Sequence, residues 1–188
     1  MRRRAFDIRH RDRKALREGY SPAVRRFEIA SIALYCCAMG WFLWGLLPLV
    51  GTYPWLMASA FMFGFVLADF VSGIVHWAAD TWGSPDMPVI GQALIRPFRE
   101  HHVDQKEITR HDFIETNGNN CFISSPPAAI AALLPDGTVW FFLAAMTFAM
   151  CLAIFGTNQF HKWAHADAPF RARWEHARAR LAALGRAG

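Results

Sequence analysis

The sequence predicts an all-α integral membrane protein of about four transmembrane or re-entrant helices, with a histidine-rich metal site at the cytoplasmic end of the bundle. Three observations carry this. The 188 residues are 54% hydrophobic and 14% aromatic, too apolar for a soluble domain of that size. The apolar residues fall in long runs separated by polar stretches. Six of the eight histidines lie in three clusters beside the ends of those runs.

Taken in order, residues 1–26 form a basic segment, MRRRAFDIRHRDRKALREGYSPAVRR. It imitates the charged region of a signal peptide, but the apolar run that follows is too long and lacks a small-residue cleavage site, so it reads as a retained anchor. The run from Phe27 to Val50, with Glu28 at its start, is long enough to cross roughly 30 Å of hydrocarbon at about 1.5 Å per residue. Gly51 to Pro54 makes a turn. A second run, Trp55 to about Ala79, holds one ionisable residue, Asp69. An intramembrane carboxylate reads as functional, although bonding to a neighbouring helix would also account for it.

Asp80 to Asn120 is polar, too long for an idle loop, with a short helix expected around Gln92 to Val103. A third apolar stretch begins near Cys121, breaks at Leu134-Pro135-Asp136-Gly137 as a helix-to-helix turn, and resumes from Thr138 to Gly156. The limb from Cys121 to Leu134 is short for a crossing and contains Pro126 and Pro127. It is therefore re-entrant, or begins earlier. Pro169 to Gly188 mixes arginines with Phe170, Trp174, Leu181 and Leu184, as an interfacial helix would. The domain reading is a basic segment (1–26), a membrane domain (27–165) and an arginine-rich tail (166–188).

Composition removes several classes. Cys36, Cys37, Cys121 and Cys151 form no C-x-x-C pair, which argues against a disulfide framework and a zinc knuckle. The formal charge of +5 sits mainly before the first apolar run and after the last, a distribution that suits a membrane surface and not a nucleic acid. The same arginine bias keeps the amino terminus cytoplasmic. The first helix then runs outward and the second returns, so His76, the Asp80–Asn120 loop, His161 and His165 all come to one face.

Chemistry-bearing residues repeat at helical spacing. Asp69, Gly73, His76 and Asp80 follow one another by four, three and four, one stripe of one helix. His161 and His165 are spaced i, i+4, which lets two imidazoles reach one metal or one dinuclear centre. The adjacent His101 and His102 in REHHVDQKEITRH point in different directions and would serve two neighbouring ions. Imidazoles with carboxylates suit iron, copper or zinc, and no thiolate set suggests an iron–sulfur cluster. Other features read plainly: His10 and His176 as interfacial histidines, and Trp41, Trp44, Trp55, Trp77 and Trp163 as interface anchors.

Three stretches, HWAADTWG, RPFREHHVDQKEITRHDFIETNGNNC and TNQFHKWAH, closely resemble the plasmanylethanolamine desaturases, a family similar in turn to plastid desaturases that act on a phosphatidylglycerol acyl chain. The resemblance runs from about Ala68 to His165. It implies a membrane enzyme that uses a di-iron centre, dioxygen and reducing equivalents to remove two hydrogens from a phospholipid chain. Residue by residue it implies His76, His101, His102, His161 and His165 as iron ligands, with His111 as a sixth. Asp80 and Asp69 become carboxylate partners. Asn117 and Asn120 hold the loop or a ligand by hydrogen bonds, and Arg96 and Arg99 lie near the lipid phosphate. No flavin, haem or nicotinamide fingerprint is visible, so the resemblance implies a separate electron donor of cytochrome b5 or ferredoxin type.

One departure matters. The family continues beyond its HKWAH-like motif with a further histidine block, whereas PFRARWEHARARLAALGRAG does not resemble that continuation. The expectation is a truncated or divergent member with ligands enough for one iron and short for two. The rival readings are a fatty acyl lipid desaturase or a hydroxylase of the same chemistry, and an inactive membrane scaffold.

Overall fold

The computed structural model describes residues 20–87 and 90–166. Most of the basic segment, with His10, and the tail helix expected over Pro169 to Gly188, with His176, lie outside the described residues. Among the described residues every regular element is helical. The order is α1 (Pro22–Val50), α2 (Pro54–Trp82), a π turn (Gly91–Ile95) running into α3 (Arg96–Val103), a 3-10 turn (Glu107–Thr109), α4 (Phe113–Ala131) and α5 (Thr138–His165). Three of these, α1, α2 and α5, are long and apolar enough to cross a membrane, with mean hydropathies of 1.7, 1.9 and 2.2.

The ends of the helices follow from local chemistry. Ser21 caps α1, accepting from the Val24 amide at 3.3 Å, with Pro22 in the first turn, where a missing N–H costs nothing. Asp112 caps α4, its Oδ1 accepting from the amides of Ile114 and Glu115 at 3.0 Å each. Gly137 precedes α5 at φ 138°, a backbone that L side chains rarely adopt. The expected break at Leu134 to Gly137 is thus where the chain turns.

α4 resolves the short third limb. It starts at Phe113, well before Cys121, so the limb begins earlier instead of re-entering. Its 19 residues rise about 28 Å, and Ala131 at its end shares a pocket with Leu46, Tyr53 and Phe141 at the far end of the bundle. Hydropathy hides this helix because its first turns are polar. Ten of its 19 residues are buried, against four of 29 in α2, so α4 is the inner helix and its asparagines face protein instead of lipid.

Small residues allow the close approaches. A Cβ on Gly64 would meet the Met146 carbonyl oxygen at 2.4 Å and the Ala149 Cβ at 2.7 Å, which presses α2 onto α5. Ala60, Gly64 and Ala68 repeat every four residues and are all buried, the small-residue stripe that membrane helices pack on. α1 packs on α4 through Gly118, where an added Cβ would lie 2.6 Å from the Glu28 Cβ and Cγ. It meets α5 through Tyr35, which donates to the Cys151 carbonyl at 3.1 Å and stacks on Phe155 at 5.3 Å. The expected interface anchors Trp41, Trp44, Trp55, Trp77 and Trp163 are all exposed on the outside of the bundle.

Candidate metal centre

Three helix ends converge at one end of the bundle. The last turns of α2 bring His76 and Asp80, α3 brings His101 and His102, and the last turn of α5 brings His161 and His165. α2 continues past Ala79 to Trp82, and α5 past Gly156 to His165, so both i, i+4 pairs stand on regular helix.

The donors sort into two adjacent groups of three. His101, His161 and His165 form the first: the Nε2 atoms of His101 and His161 are 3.1 Å apart, and the rings lie 4.6, 5.2 and 4.7 Å from one another. His76, Asp80 and His102 form the second, with His76 Nε2 at 3.2 Å from Asp80 Oδ2 and His102 Nε2 at 3.1 Å from both Asp80 oxygens. Within each group the donor atoms all lie within 4.8 Å of one another. The adjacent histidines of α3 diverge, as successive residues on a helix must, with rings 6.4 Å apart, and each faces its own group. Among the described residues, both groups are complete by His165.

The donor chemistry fits a metal ion. Two imidazole nitrogens that face each other can share at most one proton, and the buried His101 Nδ1 has no hydrogen-bond partner. Burial, then the neighbouring His161 and His165 rings, push the His101 imidazole down to about 4. It is therefore neutral at ordinary pH, with a lone pair free for a ligand bond. Three imidazoles beside two imidazoles and a carboxylate suit first-row transition metals.

His111, expected as a sixth ligand, stands in a third group. Its Nε2 is 3.4 Å from Glu100 Oε2 and 3.6 Å from Glu115 Oε1. Both carboxylates also take the Arg96 guanidinium, at 2.9 and 3.0 Å, and its Cζ stands 5.1 Å from the centre of the Tyr20 ring. This corrects the expectation for Arg96. At 1% exposure it serves the buried Glu100 and the part-buried Glu115 and is closed to a lipid phosphate. Arg99 Nη2 donates to the carbonyls of Asp80 and Gly83 at 3.1 and 3.2 Å. It clamps α3 onto the last turn of α2, whose free carbonyls want such a donor.

Asp69 lines the same cavity as the histidines but belongs to none of the three groups. Asn117 bonds back to the Phe113 carbonyl of its own helix at 2.8 Å. Asn120 ties two helices together: its Nδ2 donates to the Ile154 carbonyl at 2.6 Å and to Thr157 Oγ1 at 3.0 Å, locking α4 to α5 just before His161. Sequence reasoning missed Asn158, which donates to the Thr116 carbonyl at 2.9 Å, Lys162, which donates to the His111 carbonyl, and both Glu100 and Glu115. The i, i+4 pairs Arg96–Glu100 and His111–Glu115 were the available signal.

All of this caps one cavity of about 720 Å³ between the helices. Its upper wall carries His76, Asp80, His101 and His161, and its lower wall Val71, Ile123 and Ile154 together with Asp69, Asn119 and Asn120.

The family model for the lipid desaturase domain matches residues 65–181. The chain is 56% identical over 166 residues to a plasmanylethanolamine desaturase of Myxococcus xanthus, covering 86% of this chain and 58% of that protein. It is 43% identical over 170 residues to plasmanylethanolamine desaturase 1 of Mus musculus, with 86% and 62% covered. A chloroplastic fatty acid desaturase 4-like 1 of Arabidopsis thaliana is 33% identical over 119 residues, 61% of this chain and 38% of that one. The chain thus spans about 60% of the length of the first two relatives. No solved structure matches.

Proposed function

The chain belongs to the lipid desaturase domain family, and from that premise we propose that it is an oxygen-dependent membrane desaturase that forms the vinyl ether bond of plasmalogens from a plasmanyl phospholipid. The observation that carries this is the pair of adjacent three-donor groups closing one end of a cavity whose deeper wall mixes Val71, Ile123 and Ile154 with Asp69 and Asn119. In this reading His101, His161 and His165 hold one iron, and His76, Asp80 and His102 hold the other. This reading draws three donors for each iron from residues up to His165. When bound, the iron pair supplies the oxidising power by which dioxygen, two electrons and two protons take two hydrogens from a carbon–carbon bond and leave two waters.

The protein's own part is holding and excluding. Cβ bonds on a helix lean toward its amino terminus, so His76, His161 and His165, at the carboxyl ends of α2 and α5, lean back over the cavity. Arg99 fixes α3 against α2, and Asn120 fixes α5 against α4, so the groups meet without rearrangement. For an ether lipid the reacting carbons adjoin the glycerol backbone, and helix-end ligands reach that depth at a membrane boundary. Electrons come from a separate carrier of cytochrome b5 or ferredoxin type on the cytoplasmic side. The shared end supports that placement: Arg25, at the start of α1, pairs with Asp112 at 2.6 Å, beside His111.

The test is acid-released aldehyde from the lipids of cells that lack their own enzyme. Product made by this chain and lost in His76→Ala at equal expression is the expected result. A chain that purifies with two irons yet yields no aldehyde would be read next for acyl desaturation, the activity that the name of the plant relative indicates for that protein. One that purifies without iron would be the inactive scaffold.

A further inference from the structure

α4 turns one stripe toward the cavity. Glu115, Thr116, Asn119, Asn120 and Ile123 all line it and share one helical face. Every polar member but one is engaged. Glu115 accepts from Arg96, the Thr116 hydroxyl donates to the Asp112 carbonyl, and Asn120 donates to Ile154 and Thr157. Asn119 is the exception. It is 5% exposed, its Oδ1 is buried with no hydrogen-bond partner, and among the described residues its carboxamide makes no side-chain hydrogen bond. A buried amide left unpaired is costly, and this one stands in the wall of the cavity capped by the histidines.

The register places it. Asn158 bonds to the Thr116 carbonyl, His161 lies one turn beyond Asn158 toward the metal end, and Asn119 one turn beyond Thr116 away from it. The Cα of Asn119 is therefore about 9 Å below that of His161 along the bundle. α4 and α5 run in opposite directions, so the Asn119 side chain leans up and the His161 side chain leans down. What remains between them is the length of a few bonded atoms. We infer that Asn119 donates a hydrogen bond to the ether oxygen beside the reacting carbons, and so sets which carbon–carbon bond faces the histidines. The ether oxygen only accepts, so its partner is the carboxamide Nδ2, which makes no hydrogen bond among the described residues and, unlike Oδ1, is not closed off from the cavity. Asp69, on the facing side of the same cavity, offers acceptors alone and cannot do this.

This rests on the lipid desaturase reading, so the experiment measures binding apart from turnover. Iron-loaded full-length chain in lipid nanodiscs is titrated with an alkyl ether phospholipid and with the analogue in which methylene replaces the ether oxygen. The unmodified chain is expected to prefer the ether lipid by about tenfold, the size of one buried hydrogen bond. Asn119→Ala should bind both equally, with iron content unchanged, while Asn119→Ser, which keeps a donor, should retain part of the preference. Equal binding of the two lipids by the unmodified chain overturns the proposal whatever the variants do, as does a preference that survives in Asn119→Ala. A preference that depends on Asn119 in a chain that makes no vinyl ether would sink the desaturase reading and leave this one standing.

Discussion

His101 and His161 face each other Nε2 to Nε2 at 3.1 Å, a distance at which the two nitrogens either share a proton or, in the proposed reading, ligate one ion. Removing either should therefore cost one ion and spare the other. His161→Ala and His101→Ala are expected to bring bound iron from about two per chain to about one, since a lost ligand leaves a position that no neighbour refills. Elemental analysis of purified variants reads this, and unchanged iron would take those residues out of the site. Arg96 carries a different load. Arg96→Met leaves the buried Glu100 without its cation, at a cost of about 3–5 kcal/mol, seen as a lower unfolding temperature in detergent. The histidines were legible in the sequence because an imidazole is short and i, i+4 spacing fixes where it reaches. Arg96 and Arg99 were not, because a long side chain on a known helix face can end on a phosphate, a carboxylate or a carbonyl, and only the packing of α3 decides.

At the scale of elements, the bundle rests on two close helix contacts, α1 on α4 and α2 on α5, made at glycines. Gly118→Ala should force α1 away from α4, because the new methyl would overlap the Glu28 side chain at 2.6 Å. The expected loss is about 1–3 kcal/mol, together with a fall in iron content, since α4 positions α5 through Asn120. Gly40→Ala is the control, as nothing lies within 4 Å of a Cβ there, and it should unfold like the unmodified chain. Equal unfolding of the two variants would show that α1 and α4 are not in contact at Gly118. The sequence reading found α1, α2 and α5 because lipid-facing helices must be apolar. It left the start of α4 open between a re-entrant limb and an earlier beginning because an inner helix answers to its protein neighbours, and Thr116, Asn117, Asn119 and Asn120, all buried, look like loop residues until a bundle surrounds them.

For the whole molecule, the two ends of the bundle have different jobs, and membrane orientation decides whether the proposed chemistry can be supplied with electrons. The metal groups, the start of α1 and the start of α4 share one end, tied by Arg25 and Asp112. The turns after Val50 and Leu134 meet at the other, where Tyr53 lies 5.2 Å from Phe141. The proposed function places the first end in the cytoplasm, on the expectation from arginine bias. Single cysteines placed in a background with Cys36 and Cys37 changed to serine test this. Gln105→Cys, exposed beside the metal groups, should react with a membrane-impermeant maleimide only after the cells are opened. Asp136→Cys, exposed at the far turn, should react in intact cells. The reverse pattern would put the histidines on the outer face, and the cytoplasmic electron donor would have to be abandoned while the donor geometry stood. Labelling of both from one side would be more damaging, because α4 could then not run the length of the bundle, and the register that sets Asn120 against α5 would have no helix to hold it.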